Sequence, residues 1–299
     1  TVSSSLINCT GANVVNGSST WIQAYLWANE SGSYSFTITT LDSASATNTT
    51  TASLDVWGWA VVNITSPSDS SYVKGIIPVI CEVYDANYTS KYIANYPVNF
   101  YIDNVLNTTV LTNASGYATF SWNTSAVSDG SHTINCTISD NSTLYYNAST
   151  SNSQISVTVD NTPPSVTINS PTASNVVYKK PGETVSINFT YTEVNAKNFT
   201  VVLVNSTGGV VNSSTNSSPS SGSSINVVVD LGIPSSSPDG YYTVNVSFYD
   251  LASNFGSDQE DGSVVVDGTN PSVVFQTPTD GAVIASASLG YIINVSILY

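Results

Sequence analysis

Histidine is almost missing from this chain: one residue in 299, alongside no methionine, three cysteines and five lysines and arginines. A single imidazole cannot build a histidine-based triad or an ordinary zinc site without other ligands. No apolar run approaches twenty residues, so no membrane-spanning helix is expected in this segment. Five cations stand against twenty Asp and Glu, a net charge of −15, which argues against binding nucleic acid or an anionic membrane surface. No Gly-rich phosphate loop occurs, and no long segment carries a helical period. Thr1 shows no signal-peptide pattern, which reads as a processed or trimmed start.

What the chain does have is alternation and repetition. Hydrophobic residues make up 41% and charged residues 8%. The apolar positions alternate within runs bounded by Gly and Pro, the mark of folded β structure rather than disorder. Three segments share one pattern: Gly32-x-Tyr34-x-Phe36-x-Ile38-x-x-x-Asp42, Gly130-x-His132-x-Ile134-x-Cys136-x-x-x-Asp140 and Gly240-x-Tyr242-x-Val244-x-Val246-x-x-x-Asp250. A second landmark, Val-Asn-Ile-Thr-Ser-Pro at 62–67, returns at 166–171 and 273–278, with its prolines 104 and 107 residues apart. That period is too long for a solenoid and fits an array of small β domains.

The phase of the repeat sets the domain organisation. Asn8-Cys9-Thr10-Gly11 matches Asn205-Ser206-Thr207-Gly208, and Asn294-Val295-Ser296 matches Asn188-Phe189-Thr190. Residues 1–61 therefore read as the C-terminal strands of a partial domain, 62–161 and 162–269 as complete domains, and 270–299 as the first two strands of another. The expected fold is all-β, a linear array of tandem β-sandwiches with partial domains at both termini. A lone two-stranded fragment is marginal in water, and an open apolar edge invites pairing with another chain. Either the polypeptide is longer than this segment, or copies complete one another head to tail.

Nineteen Asn-x-Ser/Thr triplets occur, at Asn8, Asn16, Asn29, Asn48, Asn63, Asn87, Asn107, Asn113, Asn123, Asn135, Asn141, Asn147, Asn188, Asn198, Asn205, Asn212, Asn216, Asn245 and Asn294. Composition alone gives roughly nine or ten, so the excess points to N-glycosylation and an extracellular or cell-surface location. Asn135, Asn188, Asn245 and Asn294 each lie between inward-facing apolar neighbours, so alternation points them to solvent. The plainer account is that Asn and Thr are surface fillers of an S/T/N-rich secreted protein.

The run Asp160-Asn161-Thr162-Pro163-Pro164-Ser165-Val166-Thr167-Ile168-Asn169-Ser170-Pro171 resembles the start of immunoglobulin-like repeat modules of prokaryotic surface proteins. Pro97-Val98-Asn99-Phe100-Tyr101-Ile102-Asp103 with Gly116-Tyr117-Ala118-Thr119, and Asp-Gly at 129–130 and 239–240, fit the same modules. The resemblance implies immunoglobulin-like sandwiches serving as spacers, adhesin stalks, or wall or S-layer components. Dense sequons, few charges and many tyrosines resemble archaeal surface proteins more than bacterial ones. In such a sandwich Cys81 and Cys136 fall on strands B and F, which face each other across the core. The expectation is a disulfide, with two buried thiols as the alternative. Cys9 has no partner within its own unit. The Tyr34/His132/Tyr242 column resembles a tyrosine corner, but lies four residues before Cys136 rather than two.

No catalytic, cofactor or metal residue is expected, and the chain does not read as an enzyme. Asp258, Glu260 and Asp261 are close in sequence but read as a Gly/Ser-containing turn without an aromatic cleft, unlike a glycosidase pair. Asp85, Asn87, Asp140 and Asn141 fall on loops expected at one end of the second unit, and Asp160 and Asp267 precede interdomain prolines. Oxygen ligands there would suit Ca²⁺, but Asp and Asn favour turns anyway, so solvated turns are the expectation and N-linked glycans the only attached groups.

The expected function is a structural, pilus-like subunit of a glycosylated filament or surface array. It would assemble by donor-strand complementation, with Tyr291, Ile293, Val295 and Ile297 on the strand supplied to the next copy. The expected partner is the chain itself as a homopolymer, with other cell-surface proteins or glycans beside it. The alternatives are a window of a long adhesin stalk or S-layer protein, a carbohydrate-binding module using the five Trp and surface Tyr, and a viral or tail-fibre component. Trp57 and Trp59, at a junction, read as packing between units.

Overall fold

The computed structural model describes residues 30–41, 44–283 and 293–298. Cys9, Tyr291 and the sequons at Asn8, Asn16 and Asn29 lie outside them. Described in chain order, β1 (Gly32–Leu41) pairs antiparallel with β2 (Thr47–Val56). The second unit comprises β3 (Gly58–Ser66), β4 (Tyr72–Val73), β5 (Ile76–Asp85), β6 (Pro97–Ile102), β7 (Val105–Leu111), β8 (Tyr117–Asn123), β9 (Gly130–Thr137), β10 (Tyr146–Thr150) and β11 (Asn152–Val159). The third comprises β12 (Ser165–Ser170), β13 (Val177–Lys179), β14 (Thr184–Glu193), β15 (Ala196–Val204), β16 (Val210–Asn216), β17 (Gly222–Gly232), β18 (Gly240–Asp250) and β19 (Phe255–Val266). A last hairpin joins β20 (Ser272–Thr277) to β21 (Asn294–Leu298).

The fold is all-β and built of tandem immunoglobulin-like sandwiches. In the second unit a sheet ordered β10-β3-β5-β8 faces one ordered β4-β11-β9-β6-β7; in the third, β12-β14-β17 faces β13-β19-β18-β15-β16. β3 already begins at Gly58, ahead of the start expected at 62. The residues Asp258, Glu260 and Asp261 are strand residues within β19, not the turn that their Gly/Ser neighbours implied. Pairing with β18 over most of its length overrides the local turn signal.

Alternation places the cores. Val79, Cys81 and Val83 of β5 and Val185, Ile187, Phe189 and Tyr191 of β14 all point inward and are buried. Burying each such side chain contributes about 1.5–3 kcal/mol gross. Rings interlock in the third core, with Tyr191 and Phe248 centroids 4.6 Å apart. In the second unit Cys81 and Cys136, on facing sheets, are joined by a disulfide.

The shared Gly-x-Tyr pattern has a backbone cause. Gly32, Gly130 and Gly240 open their strands at φ 149°, 133° and 147°, a region open only to glycine. Two residues on, the side chain reaches back four residues. Tyr34 Oη donates to the Glu30 carbonyl at 2.8 Å and Tyr242 Oη to the Pro238 carbonyl at 2.7 Å. His132 Nε2 lies 2.8 Å from the Ser128 carbonyl and makes the same bond in the second unit. The column is thus a corner made twice by tyrosine and once by imidazole.

Candidate functional site: the joint between units and the open terminal sheets

The chain leaves each complete unit under the same clamp. Asp129 accepts from Asn161 N at 2.9 Å and from Thr162 Oγ1 at 2.6 Å. Asp239 accepts from Gly268 N at 2.6 Å and from Thr269 Oγ1 at 2.5 Å. The threonine hydroxyl bond is the chief cause that holds each carboxyl below its ordinary value. Both aspartates come from the Asp-Gly that precedes the shared strand, so one dipeptide supplies a linker clamp and a left-handed strand start.

Between the second and third units the contact is dense. Asn254 Nδ2 donates to the Asp160 carbonyl at 2.8 Å, and Asn195 Nδ2 to Asp160 Oδ2 at 2.7 Å. Lys74 Nζ donates to the Ser253 carbonyl at 2.5 Å. A Cβ on Gly256 would stand 1.9 Å from the Pro164 carbonyl oxygen, so only glycine lets β19 pass this close to the linker. A cleft of about 400 Å³ remains beside the linker, lined by Asp129, Asp160, Thr162, Glu193 and Asn195 among others.

Asp160, Glu193 and Asp250 converge at the joint, all buried, with carboxylate oxygens within 4.8 Å of one another. An all-oxygen set fits a hard cation rather than zinc or copper. Amides already engage most of these oxygens. Asn254 N and Nδ2 occupy both oxygens of Asp250, Thr162 N and Asn195 Nδ2 those of Asp160, and Asn195 N one of Glu193. Burial pushes the Glu193 carboxyl above its ordinary value; the Asn195 N–H opposes this, and the Asp160 and Asp250 charges add to it. Sequence reasoning singled out Asp160 for a calcium-type role but missed Glu193 and Asp250, although Asp250 ends the shared ten-residue pattern.

The other acidic positions go elsewhere. Asp85 is buried and accepts from Asn87 N and Tyr146 Oη, while Asp140 accepts from Ala148 N. Asp267 accepts from Thr269 N. Asp258 accepts from Ile168 N at 2.7 Å, Glu260 from Ala173 N at 2.8 Å and Asp261 from Thr243 Oγ1 at 3.2 Å, so all three fasten strands. His132 sits between Asp103, 2.6 Å from Nδ1, and Ser128, with its ring edge-on to Trp122. Trp57 and Trp59 are exposed, Trp57 edge-on to Tyr145.

Among the described residues, β1–β2 and β20–β21 each form a two-stranded sheet with no facing sheet. Phe275 lies opposite Val295 and Val273 opposite Ile297, as Ile168 lies opposite Phe189 and Val166 opposite Tyr191 in the third unit. Ile168, Phe189 and Tyr191 are buried; Phe275 is 66% exposed and Val295 43%. Ile293, also named from sequence, precedes β21 and is exposed. In β1, Ile38 is 57% exposed, while Val246, its counterpart on β18, is fully buried. Both hairpins therefore carry a core face that nothing in the described chain covers.

None of the sixteen described sequon asparagines is buried. Asn48, Asn63, Asn87, Asn107, Asn113, Asn123, Asn216 and Asn294 are exposed; Asn135, Asn141, Asn147, Asn188, Asn198, Asn205, Asn212 and Asn245 are half-buried. Asn135 is the most enclosed in one respect: its Oδ1 is buried without a partner, between Tyr101 and Gln154 on the neighbouring strands.

Residues 61–135 match a family model described as a bacterial Ig domain. No curated protein matches the chain. Among solved structures, a putative membrane anchored protein from Corynebacterium diphtheriae is 13% identical, over 75% of this chain and 64% of that one, with a TM-score of 0.27. A tetra-tandem repeat from the extending region of a large adhesion protein is 20% identical, over 84% and 61%, with a TM-score of 0.30. A CARDB domain from Pyrococcus furiosus is 21% identical, over 34% of this chain and 95% of that domain, at a TM-score of 0.26. The chain spans a little under two thirds of the first two structures.

Proposed function

We propose that this chain is a structural subunit of an extracellular, N-glycosylated filament or surface array, assembled by strand donation. Residues 270–299 of one copy supply the missing strands to residues 1–61 of the next. The observation that carries the reading is the pair of core faces on β1–β2 and β20–β21 that the described residues leave uncovered. Their residues match positions buried in the complete third unit. A head-to-tail contact of this kind uses two different surfaces and propagates into an open filament. Val273, Phe275, Val295 and Ile297 together contribute about 6–12 kcal/mol gross on burial, before ordering costs. Backbone pairing sets register and the alternate side chains set affinity. The chain's role is mechanical rather than catalytic, since the acidic and imidazole groups described above fasten strands, turns and joints. A source among archaea rests on sequon density, low charge and abundant tyrosine.

Val295→Asp with Ile297→Asp tests the reading. Wild-type chains are expected to form head-to-tail multimers in sedimentation velocity, and the double variant to remain single. Equal assembly by both would sink strand donation. The second reading is a stalk of covalently continuous repeats, favoured by the dense contact between the second and third units. The intact mass of the denatured, deglycosylated native polypeptide separates the two: near 31.4 kDa supports subunits, and several-fold more supports a stalk.

A further inference from the structure

We propose that Lys180 of one copy grips the Ser45 carbonyl of a second copy, so that the contact between successive chains repeats the lysine clasp already present within each chain. This inference rests on the strand-donation reading and names a second contact that it requires.

The template is the bond from Lys74 to the Ser253 carbonyl, which spans the joint between the second and third units. Each partner has a structural counterpart elsewhere among the described residues. Lys74 follows β4, whose Val73 pairs in parallel with Val159 of β11; Lys180 follows β13, whose Lys179 pairs in parallel with Val266 of β19. The linker then returns the same backbone bond in both places, Asp160 N to the Val73 carbonyl at 3.0 Å and Asp267 N to the Lys179 carbonyl at 2.9 Å. Lys180 therefore stands at the exit of the third unit as Lys74 stands at the exit of the second.

Ser253 has its counterpart in Ser45. Both lie thirteen residues beyond the glycine that opens the preceding strand, Gly240 and Gly32. Both sit in the turn of a hairpin, β18–β19 or β1–β2, and both hold a left-handed backbone, φ 67° and 66°. The backbone at that one residue is thus alike in both turns. The Asp129 and Asp239 clamps fasten the two linkers alike, so the clasp and its linker recur as a set.

Within the described residues the Lys180 ammonium meets no acceptor, and its side chain is exposed. Only five lysines and arginines occur in the chain, yet two hold this one structural position. When β20–β21 of one copy completes the unit that contains β1–β2 of another, the Ser45 turn arrives where the Ser253 turn sits one joint earlier. A second copy of this chain is therefore the partner that the exit face of the third unit fits.

The test uses full-length chains in a Cys9→Ser background carrying Lys180→Cys with Ser45→Cys, assembled and then treated with a short bismaleimide. The expected result is a covalent ladder of multimers, with the linked 45–180 peptide found by mass spectrometry and the ladder lost when either cysteine is absent. If chains assemble, and Val295→Asp with Ile297→Asp abolishes assembly, yet no 45–180 link forms, the clasp is overturned while strand donation stands. If wild-type chains do not self-associate, strand donation falls and the clasp falls with it.

Discussion

The His132 ring points both nitrogens at groups that accept hydrogen bonds, the Asp103 carboxylate and the Ser128 carbonyl. A neutral imidazole donates from only one nitrogen, so the geometry holds the imidazolium. Burial works against that charge, but the bonds to Asp103 and Ser128 outweigh it and raise the His132 pKa. Burial likewise opposes ionisation of Asp103, yet the Thr133 N–H and the imidazolium hold its carboxyl below the ordinary range. A raised histidine contributes stability fully below its unfolded value of about 6.5, lost as pH rises through the folded value. A lowered aspartate contributes above its unfolded value, lost as pH falls through the folded one. The second unit should therefore melt at a lower temperature at about pH 8 than at about pH 6, and His132→Tyr, the residue of the other two corners, should flatten that slope. An unchanged slope in the variant would assign the effect to another group. The Asp103–His132 pair, 29 residues apart, has no signature in either segment.

Strand pairing converts these side chains into larger units, and two substitutions probe it. Gly256→Ala places a methyl group against the Pro164 carbonyl, which is backbone and has no rotamer to yield. The joint must open, at a cost of about 1–3 kcal/mol, and denaturant titration should show the third unit unfolding earlier than in wild type. Replacing Cys81 and Cys136 together by alanine removes a cross-link over a 55-residue separation. On the loop-entropy account this lowers the second unit's stability by about 4 kcal/mol, read as a fall in its denaturant midpoint with the third unit unmoved. The strands themselves were legible because period-two alternation is local. Asp258, Glu260 and Asp261 were misplaced because Gly and Ser around them mimic a turn, whereas the β18 partner that fixes them as strand is remote in sequence.

The array as a unit depends on its joints. Glu193 lies buried beside Asp160 and Asp250, so its ionised form opposes the joint. Its raised pKa means that any stabilisation is present below the ordinary carboxylate value and lost as pH rises through the folded one. In a chelating buffer Glu193→Gln should raise the unfolding temperature near pH 7 and leave it unchanged near pH 4; a loss at neutral pH would show that the charge is needed. Asp129→Ala should free the linker and broaden the distance distribution in small-angle scattering. The all-β fold class was readable from alternation and repeated landmarks, whereas the acidic centre was not, because its three members arrive from β14, the β18 end and the linker.

The parallel β4–β11 and β13–β19 pairs join the entry side of each sandwich to its exit strand. Tension along the array therefore loads those hydrogen bonds side by side, in shear, instead of peeling them one at a time. Once a unit yields, the Cys81–Cys136 bridge keeps its enclosed segment from extending. With 55 residues spanned and about 3.3–3.6 Å gained per extended residue, the second unit should lengthen by roughly 180–200 Å less under pulling than after reduction. The chain thus carries, in one bond, a built-in limit on how far its second unit can stretch.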